Sequence, residues 1–246
     1  MIYKLINTYI NISNEEEYIK EIFNTLKNKQ KKVFFYLNSY SFYLFNNNKN
    51  FNNAFKIANF IIADGYSVVK AIKLLNNTEI NKVVFTYVYE KILAELFSKE
   101  NVKIFCLGGS KDSIRKFIAN MELKFPNLYI VGYNDGFFIP GDESNTILKK
   151  INDSKAEVLI VGMGMPRSEV WIKENLKNIN VNCIFSVGGF FEFLAGNKKQ
   201  APALFYNSGL EWIYRLAQEP KRLFGRYLKA NIYFVFRIIK FLLIKK

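Results

Sequence analysis

Six short apolar runs punctuate the chain: KKVFFYLN (31–38), NFIIAD (59–64), VKIFCLGG (102–109), NLYIVGY (127–133), AEVLIVGMG (156–164) and VNCIFSVGG (181–189). Each is rich in β-branched or aromatic residues and most close on glycine, aspartate or asparagine, so they predict strands. Between them apolar positions recur at helical spacing over residues 14–29, 66–76, 86–98, 111–124, 144–153 and 167–177, which predicts amphipathic helices. This alternation predicts an α/β architecture, a Rossmann-like, mostly parallel sheet flanked by helices. No repeat or low-complexity linker interrupts residues 1–195, which we take as one domain. From Gly196 the chain turns helical, aromatic and basic, and residues 196–246 form a helical C-terminal appendage.

In open α/β sheets ligands bind beyond the carboxyl ends of the strands, and that is where the polar and glycine residues of these runs fall. Asp64 ends one run and abuts Gly65, while Val68, Val69, Ile72 and Leu75 continue at helical spacing. Its carboxylate therefore stands near a helix N-terminus, as a cap or as a base. Gly108 and Gly109 form a turn between strand and helix whose bare amides suit either a diphosphate or a tight structural bend. Gly136 belongs to a second turn, where Asp135 reads as a turn former. After Gly162, Pro166 suits the first turn of a helix and Glu169 follows in that turn. Gly188 and Gly189 close the last run and leave room for a ligand or a close backbone approach. Repeated glycine endings point to a nucleotide cleft.

Composition narrows the chemistry. Half of the 246 residues are apolar, which supplies a sizeable core and excludes disorder. Histidine is absent, which removes His-dependent triads and zinc sites. Cys106 and Cys183 lie in strand-like runs and read as reduced core thiols. The N-terminus lacks the apolar segment of a signal peptide, so a cytoplasmic location is expected. Lys and Arg number 35 against 21 Asp and Glu, a formal charge of +14 that favours a polyanionic partner. The five aspartates form no Asp-x-Asp pair, which favours neutralising a bound diphosphate by backbone amides or by Arg215, Arg222 and Arg226 rather than by a metal ion, and no cofactor is expected. From residue 219 onward eight basic residues accompany one acid. The stretch ANIYFVFRIIKFLLI (230–244) is fifteen residues long and carries Arg237 and Lys240, too short and too charged to span a bilayer. It fits an amphipathic helix on an anionic membrane surface at the inner face of the cell membrane; docking on the core, or on another copy in a homo-oligomer, is the alternative. No motif for binding nucleic acid accompanies the charge.

From the residues alone a glycosyl transferase, a nucleotide-sugar sensor and a basic nucleic-acid binder all stay open. Several stretches decide among them by resemblance. VGGFFEFLAGNKKQAP followed by GLEWIYRLAQEPKRLFGRY resembles the VGG-x-F-D-F-L-A-G, R-A-P and G-L-E-W-x-x-R-L-x-x-E-P-x-R pattern of the WecG/TagA/CpsF glycosyltransferase family, and ADG, LGG, GFF and VGMGMPRSE fall in that family's order. The resemblance implies an inverting, membrane-associated enzyme that moves a sugar, N-acetylmannosamine-type or another hexose, from a UDP-sugar donor to a lipid-linked, polyprenyl-diphosphate sugar acceptor in surface polysaccharide or teichoic acid synthesis. It implies Asp64 as base, Asn38 in the donor cleft, and Arg215, Arg222 and Arg226 at the diphosphate. The chain departs from the pattern at Tyr36 (threonine in the family), Ser168 (glutamine), Glu192 (aspartate), Gln200 (arginine) and across KVVFTYV (82–88), where the family has R-x-T-G-x-D. These departures bear on the donor sugar.

Overall fold

The computed structural model describes residues 1–81, 83, 88, 89, 91–97, 101–202, 204, 205 and 208–244. A small antiparallel hairpin, β1 (Tyr3–Leu5) and β2 (Thr8–Ile10), leads into helix α1 (Glu15–Lys27). The main sheet consists of β3 (Lys32–Leu37), β4 (Phe60–Ala63), β5 (Ile104–Gly108), β6 (Ile130–Asn134), β7 (Val158–Gly162) and β8 (Cys183–Ser186). All pairings are parallel and the order is β4-β3-β8-β7-β5-β6. These are the six predicted strands in an α/β, Rossmann-like arrangement.

Strands β5, β7 and β8 are buried along their whole length, which is why they read as continuous apolar runs: a parallel sheet is covered on both faces. Alternate residues divide between two cores. Val33, Phe35 and Leu37 join one cluster with Leu159, Val161 and Ile184. Phe34 and Tyr36 join the other with Ile160 and Phe185. Cys106 and Cys183 are free, buried thiols of that second cluster, and burial holds both thiols well above their usual pKa.

The helices α4 (Tyr66–Asn76) and α5 (Lys111–Lys124) coincide with their predicted spans, α6 (Asp142–Asp153) begins two residues early, and α7 is Arg167–Asn175. The candidate over 86–98 lies partly outside the described residues; its described part includes a π-helix, Ile92–Phe97. Helices α2 (Ser39–Asn47) and α3 (Lys49–Phe55) had no counterpart in the sequence reading. Asparagine and aromatic residues are weak helix formers, and here caps and burial compensate. Asn38 and Ser41 close a capping box on α2, Asn48 accepts the Phe51 amide of α3 at 2.9 Å, and Phe42, Phe51 and Phe55 are buried. A short helix α8 (Phe190–Leu194) follows β8, and the chain ends in α9 (Glu211–Gln218) and α10 (Pro220–Ile244).

Helix α10 lies along α2. The Phe234 ring meets Phe42 edge-on at 5.2 Å and Tyr233 meets Tyr43 at 5.4 Å. The Ser39 hydroxyl donates to Asn231 Oδ1 at 2.6 Å, and Phe234 and Ile238 enter the first core cluster. One face of the expected interfacial helix is thus docked on the core, while Phe224, Leu228, Ile232, Phe236 and Leu243 stay exposed. None of the described helices is long and apolar enough to cross a membrane.

At the carboxyl edge, β5 and β7 approach so closely that Gly108 must lack a side chain. A Cβ there would lie 2.4 Å from the Gly162 carbonyl oxygen, and the Gly108 φ of 146° is itself costly for an L-residue. Because the obstructing atoms are backbone, they cannot swing away. Gly108→Ala is expected to destabilise the fold by about 2–3 kcal/mol, read as a lowered thermal midpoint; an unchanged midpoint would contradict this packing.

Candidate active site

The carboxyl ends of all six sheet strands open into one cavity of about 910 Å³, within the range of small-molecule sites. Strand β3 delivers Asn38, β4 Asp64 and Gly65, β5 Gly109, β6 Gly136, β7 Gly162, and β8 Gly188 and Gly189. Helices α9 and α10 bring Arg215, Arg222 and Arg226 to the same space. Residues separated by most of the chain therefore share one wall.

Asn38 ties the strand ends together. Its Oδ1 accepts the amides of Tyr40 at 3.1 Å and Ser41 at 2.9 Å, at the N-terminus of α2. That bond set turns its NH₂ group toward the Asp64 carboxylate, to which it donates at 3.2 Å. The Asp64 amide in turn donates to the Leu37 carbonyl at 2.9 Å. The carboxylate is half-buried and faces the cavity. Helix α4, which follows it, has Gly65 as its N-cap and no side-chain cap, so the cap position is filled by the glycine rather than by Asp64.

The arginines are differently engaged. Burial opposes the charge of Arg215, but Glu211 and Asp64 together hold its pKa above the ordinary value, and its guanidinium lies 5.0 Å from the centre of the Phe193 ring. Arg222 forks onto Glu219, with Nε 2.8 Å from Oε1, and Lys198 reaches the same carboxylate at 3.0 Å. The Arg222 bond, ahead of the other contributions, pulls Glu219 down to about 2. Arg226 stacks over Tyr40 at 3.7 Å, and its buried Nε–H has no hydrogen-bond partner among the described residues. Across the cavity six basic side chains, with Lys70, Arg167 and Lys198 added to the three arginines, face four acids, a net positive lining that suits an anion.

Three expected site residues lie behind this wall rather than on it. Gly108 is occupied by the approach of β7, and Pro166 is the N-cap of α7. Glu169 is fully buried, accepts the Ser186 hydroxyl at 2.6 Å, and leaves Oε2 without a hydrogen-bond partner among the described residues. Asp135 closes a turn by accepting the Phe137 amide at 2.9 Å. Of the departures from the family pattern, Tyr36 and Glu192 line the cavity. Ser168 instead accepts the Met163 amide at 3.0 Å and holds the turn after β7, and 82–88 lies mostly outside the described residues.

The sequence reading missed Tyr40, Tyr66 and Arg167 on the wall. The two tyrosines each stand two residues beyond a strand-end polar residue, Asn38 or Asp64, where a helix begins; that spacing was the available signal. Arg167 was visible only as part of MPRSE, and its guanidinium donates to the Phe138 carbonyl at 2.6 Å.

Burial pushes the Glu169 carboxyl up to about 7, against the opposing effects of the Ser186 hydroxyl and the Arg226 charge. An unfolded glutamate titrates near 4.5, so between these values the native state holds the extra proton and stability falls as pH rises. Glu169→Gln removes that dependence. Relative to the parent chain the variant should gain on the order of 3 kcal/mol between pH 5 and pH 8 in denaturant titrations; parallel stability profiles would contradict the burial effect.

A family model described as the glycosyl transferase WecG/TagA/CpsF family matches residues 3–246. The match takes in both the sheet that presents Asn38 and Asp64 and the helices that carry the arginines. With nearly the whole chain covered, the protein belongs to the WecG/TagA/CpsF family of glycosyl transferases.

Proposed function

We propose that this glycosyltransferase moves a hexose, N-acetylmannosamine-type or related, from a UDP-sugar to a polyprenyl-diphosphate-linked sugar acceptor, with inversion and without a metal ion. The observation that carries the reading is the Asn38-held carboxylate of Asp64 facing a cavity that the three tail arginines also line.

In this mechanism Asp64 takes the proton of the acceptor hydroxyl as that oxygen bonds to the anomeric carbon, and the bond from that carbon to the UDP oxygen breaks. The departing diphosphate gains negative charge, which fixed cationic groups stabilise in place of a metal. Arg226 suits this task best, because its Nε–H is buried without a hydrogen-bond partner among the described residues and an anion would satisfy it. The six basic side chains that face four acids across the cavity support neutralisation by the lining. Asn38 acts through Asp64, by orienting the carboxylate.

In the same reading residues 1–195 form the catalytic domain and residues 196–246 complete its site. The exposed apolar residues of α10, together with Lys221, Lys229 and Lys240, hold the enzyme at the anionic inner face of the cell membrane. Surface polysaccharide or teichoic acid assembly is the setting such chemistry serves.

The test is release of UDP from a panel of UDP-sugars in EDTA, with and without a lipid-diphosphate-linked N-acetylglucosamine acceptor. Acceptor-dependent release from one donor is expected, and release that requires added divalent metal would overturn the metal-free mechanism. Arg226→Leu should lower kcat/KM on the order of 10²-fold; a change of less than threefold would remove Arg226 from the diphosphate site.

A further inference from the structure

The cavity changes character toward its far end. Along α10 the lining residues begin with Arg222, Arg226 and Asn231 and continue with Phe234, Val235, Ile238 and Ile239. Along α4 they run from Tyr66 and Ser67, beside Asp64, through Lys70 to Ala71 and Leu74. Both sets recur at the three-to-four-residue spacing of one helical stripe, so α4 and α10 each turn one stripe to the same cavity, polar in the turns that carry Tyr66 and Arg222 and apolar in the turns that carry Leu74 and Ile239.

This apolar end has a floor and two lips. Ala71 (5% exposed), Phe234 (3%) and Ile238 (8%) form the floor; Leu74 (61%), Val235 (54%) and Ile239 (51%) stand above it. From Arg226 to Ile239 the helix rises about 20 Å, enough for several isoprene units. A groove continuous with an arginine cluster matches a ligand whose anionic head is joined directly to an apolar chain. The geometry points to this groove as the binding site for the first isoprene units of the acceptor's carrier lipid, with its diphosphate at Lys70 and Arg222, which leaves Arg226 to the donor's diphosphate. The inference rests on the proposed function for its occupant and adds a second contact, on the chain rather than on the sugar or phosphate. It is distinct from the outward apolar residues of α10, such as Phe224 and Phe236, which are exposed and do not line the cavity.

Binding of farnesyl diphosphate and of isopentenyl diphosphate separates the chain from the head, since both carry the same diphosphate. Trp212 lines the cavity and reports occupancy by its fluorescence. With the full-length chain, below micellar concentrations, farnesyl diphosphate is expected to bind roughly tenfold or more tightly. Leu74→Ser combined with Ile239→Ser should collapse that ratio to within about twofold. Both sites are exposed enough for the fold to tolerate the change, which thermal melting checks, and Val235→Ser repeats the test singly on the same groove. Equal affinities in the parent chain, or a ratio that survives all these substitutions, would overturn the groove. Loss of vesicle binding in the double variant with the ratio intact would also overturn it, assigning these side chains to the bilayer. Because binding is read without turnover, failure of UDP release with the ratio intact would count against the proposed function and leave the groove standing.

Discussion

A parallel sheet covered on both faces confines its polar chemistry to its ends. Here the strands are almost wholly apolar, the two cores claim alternate residues of each, and all six strands of the main sheet finish at the same edge. Asn38, Asp64 and the glycines Gly65, Gly109, Gly136, Gly162, Gly188 and Gly189 are thereby collected in one place. The cavity follows from this constraint more than from any single residue.

Within that edge one carboxamide joins structure to chemistry. Asn38 spends its oxygen on the first amides of α2 and its nitrogen on Asp64. The same helix α2 receives α10, through Phe42, Tyr43 and Ser39. Capping α2 therefore positions the carboxylate, and packing α10 on α2 positions Arg226, whose guanidinium stacks on Tyr40 in the first turn of α2. A helix with weak intrinsic propensity, held by its cap and its buried aromatic residues, links the two halves of the site.

That helix is also what the sequence conceals. The strands were legible because burial on both faces writes an unbroken apolar run, and α4 and α5 because their apolar residues keep one period over three turns or more. Segment 39–55, crowded with asparagine and aromatic residues, carries neither signal, since its helicity depends on caps and on the faces it meets after folding. At the site, Asp64, Asn38 and most of the glycines could be found as strand endings. Gly108 could not be told from a ligand-binding glycine, because the approach of β7 that excludes its side chain is a tertiary contact. Glu169 looked like helix punctuation, and only the folded chain shows it buried against Ser186. Whether residues 230–244 lay on the core or at an interface was undecidable from periodicity alone; the described helix docks one face on the core and leaves the other exposed.

The central claim is that the Asn38-held carboxylate is a base rather than a structural aspartate. Its most direct test is Asp64→Asn, measured for UDP-sugar affinity and for turnover on the same preparation. The account predicts donor affinity within a few-fold of the parent chain and a loss of about 10²- to 10⁴-fold in kcat. Turnover unchanged by the substitution would contradict it.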